Sequence, residues 1–282
     1  MLTILGLSFL WLVTSAVDPA FSHPSQDQST IDSVGYKILE NRLDQLELQF
    51  NNTNTLLAKI VTSLDVIQQQ TSQLAVIKTC SEATTTKVYQ LRLPHRATPI
   101  DVFCDMELLD GGWLVIQHRF DGSVDFNRSW AEYRDGFGVV GPSSEFWLGL
   151  EAVFQLTKGG KYELLVQLRN ESGHEGLARY ERFLVSGEDR AYSLSFVGGF
   201  PGTMGEVLKG NEDEGFSTYD RDNDKWRGGN CAQKYGGGWW FFECRHTSLN
   251  GPFEKDNSTG RGMYWLGWTN AATYSRMLIR RR

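Results

Sequence analysis

The sequence predicts an α+β fold: a globular domain of twisted, mainly antiparallel strands, preceded by a helix that forms a coiled coil. Three observations carry this. Apolar residues recur at alternating steps of four and three between Leu39 and Leu74, which is the spacing of a helical seam. Beyond Cys80, short strand-like runs and a helix follow one another without the regular strand–helix alternation of a doubly wound sheet. Eight of the nine tryptophans lie beyond residue 80, whereas residues 17–79 hold no cysteine, no tryptophan and one glycine, Gly35.

The chain opens with MLTILGLSFLWLVTSA. An apolar run from Leu2 to Val13 followed by Thr14, Ser15 and Ala16 reads as a secretory signal peptide over residues 1–16, although no Lys or Arg precedes it. The run is too short to span a bilayer as a helix, and no later apolar run is long enough to be a membrane span. A secreted, extracellular protein is expected. Residues 17–30 read as a linker.

Residues 31–79 read as the coiled coil. Leu39, Leu43, Leu46, Phe50, Leu57, Ile60, Leu64, Ile67 and Leu74 form the seam, and Thr53 and Thr71 fill its two gaps. One isolated helix cannot bury such a stripe, so the segment predicts a homo-oligomer. The alternative, an amphipathic helix folded back on its own domain, is disfavoured by length: Leu39 to Leu74 would reach about 54 Å. Leucine and β-branched residues are mixed in the seam, so strand number stays open.

Residues 80–282 give roughly 200 residues, ample for one core. WLVIQ alternates like a half-buried strand through Trp113, Val115 and Gln117, then Asp121-Gly122 reads as a hairpin turn. SSEFWLGLEAVFQLT (143–157) suits a short helix capped by serine with Glu145 behind it. YELLVQLRN (162–170) and GMYWLGW (262–268) read as strands. The net charge is −6, and no basic stripe argues for nucleic acid. Arg280, Arg281 and Arg282 read as a solvated tail.

Four cysteines, Cys80, Cys104, Cys231 and Cys244, favour disulfides in an oxidising compartment, since no CxxC pair suggests zinc. Three pairings are open. Sequons stand at Asn51, Asn127, Asn170 and Asn257, predicting glycosylation at solvent-facing sites. The histidines, His23, His95, His118, His174 and His246, show no zinc spacing and no GxSxG-type turn, so no enzyme is expected.

The stretch TYDRDNDKWRGGNC presents Asp220, Asp222 and Asp224 in alternation. Hard carboxylate oxygens held close together suit Ca²⁺, which relieves their repulsion; the alternative is an acidic turn without an ion. An EF-hand does not fit, because Lys225 stands where that loop needs glycine and Cys231 where it needs glutamate.

CDMELLDGGWLVIQHRFDGSVDFNRSWAEYRDGFG, EFWLGLE, FSTYDRDND, NCAQKYGGGWW and LNG stand in the order of the fibrinogen C-terminal domain. From Cys80 onward the chain resembles that family, and the layout resembles secreted fibrinogen-related proteins and ficolin- and tachylectin-like lectins of invertebrate type. The resemblance implies a loop-rich calcium and ligand subdomain and the pairings Cys80–Cys104 and Cys231–Cys244, each stabilising by about 3 kcal/mol. It implies Ca²⁺ on the side chains of Asp222 and Asp224 and the carbonyls of Trp226 and Gly228, or of Gly229, because DKWRGGNC is one residue longer than the family's spacing. It also implies a cis Asn230–Cys231 peptide with its N–H aimed into a small ligand pocket.

Pocket residues implied by the resemblance are Asn230, Cys231, Tyr235, Arg245, His246 and Tyr264. Two departures stand out. Arg245 follows the last cysteine where the family often has histidine, and Gly260-Arg261 replaces the aspartate of fibrinogen's peptide-binding hole. Arginine in the pocket suits carboxylate or sulfate groups, although Arg245 stacked on Trp239 or Phe241 as a surface residue is the competing expectation. Trp239 and Trp240 are expected in the core. The function expected first is an oligomeric, calcium-binding pattern-recognition lectin for acetylated or acidic glycans on microbial surfaces. The alternative is a protein-binding ligand for a cell-surface receptor or matrix component, as in angiopoietin- or tenascin-like members.

Overall fold

In a computed structural model, residues 26–72, 76–196, 199–200, 202–244, 246–254 and 258–282 are described. The segment read as a signal peptide therefore lies outside the described residues, as do most of the segment read as a linker and Leu74 of the seam. The chain divides into two units, residues 1–72 and 73–282.

The first unit is one helix, α1 (Gln26–Ser72). It begins inside the segment read as a linker and ends before Thr79. The seam is open to solvent in the single chain: Leu39 is 65 % exposed and Phe50 67 %, and Leu43, Leu46, Leu57, Ile60, Leu64 and Ile67 are exposed too. Thr53, in the seam's first gap, bonds its hydroxyl to the Gln49 carbonyl at 2.8 Å. Its polar group is thus satisfied within its own helix and does not oppose burial in a dry seam.

The second unit is α+β. Its strands are β1 (Val76–Ile77), β2 (Lys87–Leu91), β3 (Ile100–Asp105), β4 (Trp113–Arg119), β5 (Phe137–Gly138), β6 (Phe146–Trp147), β7 (Tyr162–Arg169), β8 (Glu175–Tyr180), β9 (Phe183–Val185), β10 (Leu194–Phe196), β11 (Gly199–Phe200), β12 (Thr247–Ser248), β13 (Tyr264–Trp265) and β14 (Tyr274–Arg281). The helices are α2 (Trp130–Asp135), α3 (Leu150–Lys158) and α4 (Cys231–Tyr235). The main sheet runs β1-β2-β3-β4-β14-β7-β8-β11, with β6 also on β4 and β5 on β6. All its pairs are antiparallel except β1 with β2. The first strand of the sheet, β1, lies a few residues before Cys80.

Four local expectations change. β4 is buried along its whole length rather than on one face. Its alternating residues feed two cores, Leu114 and Ile116 on one side and Trp113 and Val115 on the other, because β3 and β14 flank it. Asp121-Gly122 forms a turn but no hairpin: Ser123 N–H donates to Asp121 Oδ1 at 3.0 Å, and the chain runs on to α2. The helix expected over 143–157 starts only at Leu150, behind Gly149, which has φ 108° and no side-chain cap. GMYWLGW supplies only the two residues of β13.

Glu145 is the reason for the third difference. It is fully buried, and its Oε1 accepts the N–H groups of Phe120 (2.6 Å), Asp121 (3.0 Å) and Gly122 (2.9 Å). Oε2 takes Val124 N–H at 3.3 Å and faces the buried Arg119 at 3.6 Å. Arg119 in turn donates to the Gly251 carbonyl and lies over the Phe126 ring. The residue read as a capping acid instead folds the loop after β4.

Of the expected basic tail, Arg281 and Arg282 are exposed, but Arg280 is drawn into the middle of the sheet. β14 pairs with β4 and β7 along most of its length. Arg280 bonds Glu163 at 2.8 Å and the Leu109 and Gly111 carbonyls, and its guanidinium lies over Trp113. Arg179 and Arg282 also reach Glu163. Burial pushes the Glu163 carboxyl up, but hydrogen bonds from Arg280 and Arg179 outweigh it and hold the carboxyl below its usual range. A carboxylate depressed in the folded state adds stability that is full above its unfolded pKa and is lost as pH falls through the folded value. Glu163→Gln is expected to cost about 1–3 kcal/mol at neutral pH and to flatten the acid limb of stability. Urea melts between pH 3 and 7 check this; an unchanged acid limb would contradict it.

Candidate functional site

Residues 214–250 are held by few ladder bonds. Ser217 exchanges two backbone bonds with Trp239, and Thr218 with Arg221. Between these anchors the acids set the path. Asp220 Oδ1 accepts Trp130 N–H (2.9 Å) and the Thr218 hydroxyl (2.6 Å), so this carboxylate ties the loop to α2. Asp224 N–H donates to Asp222 Oδ1 at 3.2 Å. Asp224 then accepts Trp226 N–H on Oδ1 at 2.9 Å and Cys231 N–H on Oδ2 at 2.8 Å.

Burial raises the Asp224 carboxyl above its ordinary value; bonds from Cys231 and Trp226 pull it back, and the Asp222 charge pushes it up further. Among the described residues, neither Asp222 nor Asp224 is in an ion pair. The adjacent cation, Lys225, is spent on Glu214. Two neighbouring carboxylates without a counter-charge are a donor set that fits a hard divalent cation. No group of three or more acidic, histidine or cysteine side chains gathers as a metal centre among the described residues, so a calcium ion here would draw its remaining ligands from backbone oxygens. The Trp226 carbonyl holds only a long bond from Gly229 N–H, at 3.4 Å. Gly228 lies against the Trp226 indole, where a Cβ would come within 2.7 Å of the ring, so only glycine lets the turn close there.

Asn230 caps α4: its Oδ1 accepts Gln233 N–H at 3.0 Å and its amide donates to the Thr218 carbonyl at 2.8 Å. No cis peptide occurs among the described residues, so the Asn230–Cys231 bond is trans. The Cys231 N–H is not aimed into a pocket, because Asp224 takes it. This corrects the geometry expected for an acetyl-binding site. The disulfides are Cys80–Cys104 and Cys231–Cys244, the pairing the resemblance implied. Cys244 has φ 78°, a left-handed backbone that is uncommon outside glycine.

The remaining pocket residues are partly assembled. His246 and Tyr264 are brought together by the β12–β13 ladder, in which Ser248 faces Tyr264 and the His246 carbonyl accepts Leu266 N–H. Both are half-buried, and Nδ1 of His246 is buried without a hydrogen-bond partner. Tyr235 ends α4, within the loop closed by the Cys231–Cys244 disulfide. Arg245 and Asn257 lie outside the described residues. Trp239 and Trp240 are fully buried, as expected. Lys234 was not singled out from the sequence; its ammonium lies 4.6 Å from the Trp226 ring centre and 5.3 Å from that of Tyr235. A lysine three residues past the first cysteine of the loop, with aromatics on both sides, was the available signal. Of the sequons, Asn51 and Asn127 are exposed, while Asn170 is half-buried and accepts two N–H groups of its own turn.

Residues 76–280 match the family model for the C-terminal globular domain of fibrinogen beta and gamma chains. Angiopoietin-2 of Rattus norvegicus is 42 % identical over 192 residues, 67 % of this chain and 38 % of its own. The chain thus spans well under half of that relative, and about half of the other angiopoietin-2 relatives it matches. The fibrinogen-like globe domain of human ANGPTL6 superimposes with a TM-score of 0.69 at 36 % identity, over 74 % of this chain and 97 % of that one. Lamprey fibrin D-dimer, complexed with the peptide Gly-His-Arg-Pro-amide, gives 0.68 at 26 % identity over 90 % and 91 %. The relatives are vertebrate angiopoietins and their like, not lectins of invertebrate type in particular. Fold, disulfides and similarity agree: the chain belongs to the fibrinogen C-terminal globular domain family.

Proposed function

We propose that the protein is a secreted, self-associating ligand whose globe docks on a cell-surface receptor or matrix protein. The single observation that carries this is the 42 % identity to angiopoietin-2 over 192 residues, 67 % of this chain. The spent Cys231 N–H supports it, since the acetyl-binding lectin reading needs that donor free. Both disulfides suit an oxidising compartment, and no helix among the described residues is long and apolar enough to cross a membrane. The exposed α1 seam supports a homo-oligomer, which would multiply a modest contact into avidity. No catalysis is assigned. The lectin reading, with acetylated or acidic microbial glycans bound near His246, Tyr264 and Arg245, is the competing outcome. Full-length protein on a glycan array, with and without calcium, beside a panel of cell-surface ectodomains separates the two. Saturable binding to an ectodomain with no acetylated or sialylated glycan bound is expected; binding to those glycans reversed by chelator and free sugar, with no ectodomain bound, would overturn the proposal.

Calcium belongs to the same proposal. Asp222 and Asp224 would hold it, with the carbonyls of Trp226 and Gly228 or Gly229. Its task would be to fix the 214–250 loop, and it would supply no chemistry. Calcium at 100 times its dissociation constant is expected to stabilise the globe by about 2.7 kcal/mol. Chelation should remove that gain, and Asp222→Asn with Asp224→Asn should make the melt indifferent to calcium. A wild-type melt indifferent to calcium would remove the ion from the account.

A further inference from the structure

We propose that the globe has a second ligand site, for a sulfated polysaccharide, in a cationic cavity between the β1–β2 edge and α3. The cavity holds about 310 Å³, and Lys78, Arg92, Arg281, Gln155, Tyr162 and Leu93 are among its lining residues. That is at the lower end for small-ligand pockets and suits one sulfated sugar unit of a longer chain. No carboxylate lines it.

The charge is local and unspent. Lys78, Arg92 and Arg281 are exposed, and none is in an ion pair among the described residues. Strand alternation explains why Arg281 is available: Arg280 and Arg282 point to the other face and pair with Glu163. Gly160 gives Arg281 its path, since a Cβ at that position would stand 3.1 Å from the Arg281 Nε. The whole chain carries −6, so a polyanion gains nothing from the protein's net charge and must find a local cluster.

Two further features select a sugar over a bare anion. Gln155 donates its amide N–H to Glu151 at 2.8 Å, while its Oε1 is buried without a partner. That acceptor suits a hydroxyl donor, which a sugar ring has and a sulfate ion lacks. Tyr162 and Leu93 are buried side chains whose edges form the apolar wall, suited to the C–H face of a pyranose. The neighbouring cavity shares Leu93 and Gln155, but its Arg96 and Arg134 are offset by Asp135 and Glu151, so it offers a polyanion less net positive charge than the first. The site is separate from the 214–250 loop and does not rest on the receptor-ligand proposal.

Full-length protein on immobilised heparin tests this, with fully desulfated heparin and single-stranded DNA as the other arms. The variant K78Q/R92Q/R281Q is compared with K37Q/R42Q/K59Q, which removes three cations from α1. The proposal expects heparin retention in wild type and in the α1 variant, and weakening of about tenfold or more in the cavity variant. Q155E, which brings a negative charge into the cavity, is expected to weaken binding by itself. Desulfated heparin and DNA should be retained poorly. Equal retention of the cavity variant and wild type, loss only in the α1 variant, or DNA bound as tightly as heparin would each overturn it. If the triple cavity variant melts early, R92Q alone, at an exposed position just past β2, gives the same comparison at reduced size.

Discussion

Glu145→Ala is expected to destabilise the globe by about 3–5 kcal/mol, the largest single-residue effect in this fold. The carboxylate receives four backbone N–H groups and faces Arg119, with both side chains buried. Removing it strands four donors and leaves a guanidinium in the interior with only the Gly251 carbonyl and the Phe126 ring. Burial already pushes the Arg119 guanidinium down, and Glu145 is the leading opposing influence. In a domain of this size the loss corresponds to a melting temperature lower by about 6–20 °C. Arg119→Met combined with Glu145→Gln removes both charges and should recover part of the loss, because an uncompensated buried charge costs more than an absent pair. Urea melts of the three proteins decide it; a cost below about 1 kcal/mol for Glu145→Ala would place the loop's stability elsewhere.

The second large effect concerns assembly. Leu57→Asp with Leu64→Asp places two charges in the exposed α1 seam. A buried seam cannot accept them, so sedimentation should show monomers where wild type sediments as an oligomer. Capture on a target-coated surface should weaken by about 10²–10⁴-fold, while the melt of the globe stays the same, since none of its core contacts involve these residues. A wild-type chain that is monomeric at micromolar concentration, or a variant with unchanged mass, would show that the stripe serves another purpose.

How far the sequence carried these conclusions depended on the range of the signal. The α1 seam is a local periodicity and needs no tertiary knowledge. YELLVQLRN is likewise a run of apolar and β-forming residues whose place in a buried sheet is declared by its composition. YSRMLIRRR hid the central strand β14 because its arginines look like a solvated end. Their roles come from Glu163, 117 residues away in sequence for Arg280, and from the Trp113 ring. Glu145 was misread for the same reason: its neighbours in sequence suggest a helix cap, while its partners are N–H groups 21–25 residues upstream.

At the candidate site, the closeness of Asp222 and Asp224 was legible because alternating acids are a short-range pattern. The path of the backbone after them was not. Whether the Cys231 N–H points into a pocket or back to Asp224 depends on how a glycine-rich turn closes over Trp226, and glycine permits more paths than sequence can rank. Lys234 escaped notice because a lone lysine gains meaning only from two aromatic rings that folding brings to it.

The central claim is that the globe recognises protein. Binding of the full-length chain to intact target cells tests it most directly, after either protease shaving of the surface or treatment with sialidase and hexosaminidase. The account predicts that binding disappears after protease and survives the glycosidases. Binding that survives protease and disappears with the acetylated and sialylated sugars would contradict it.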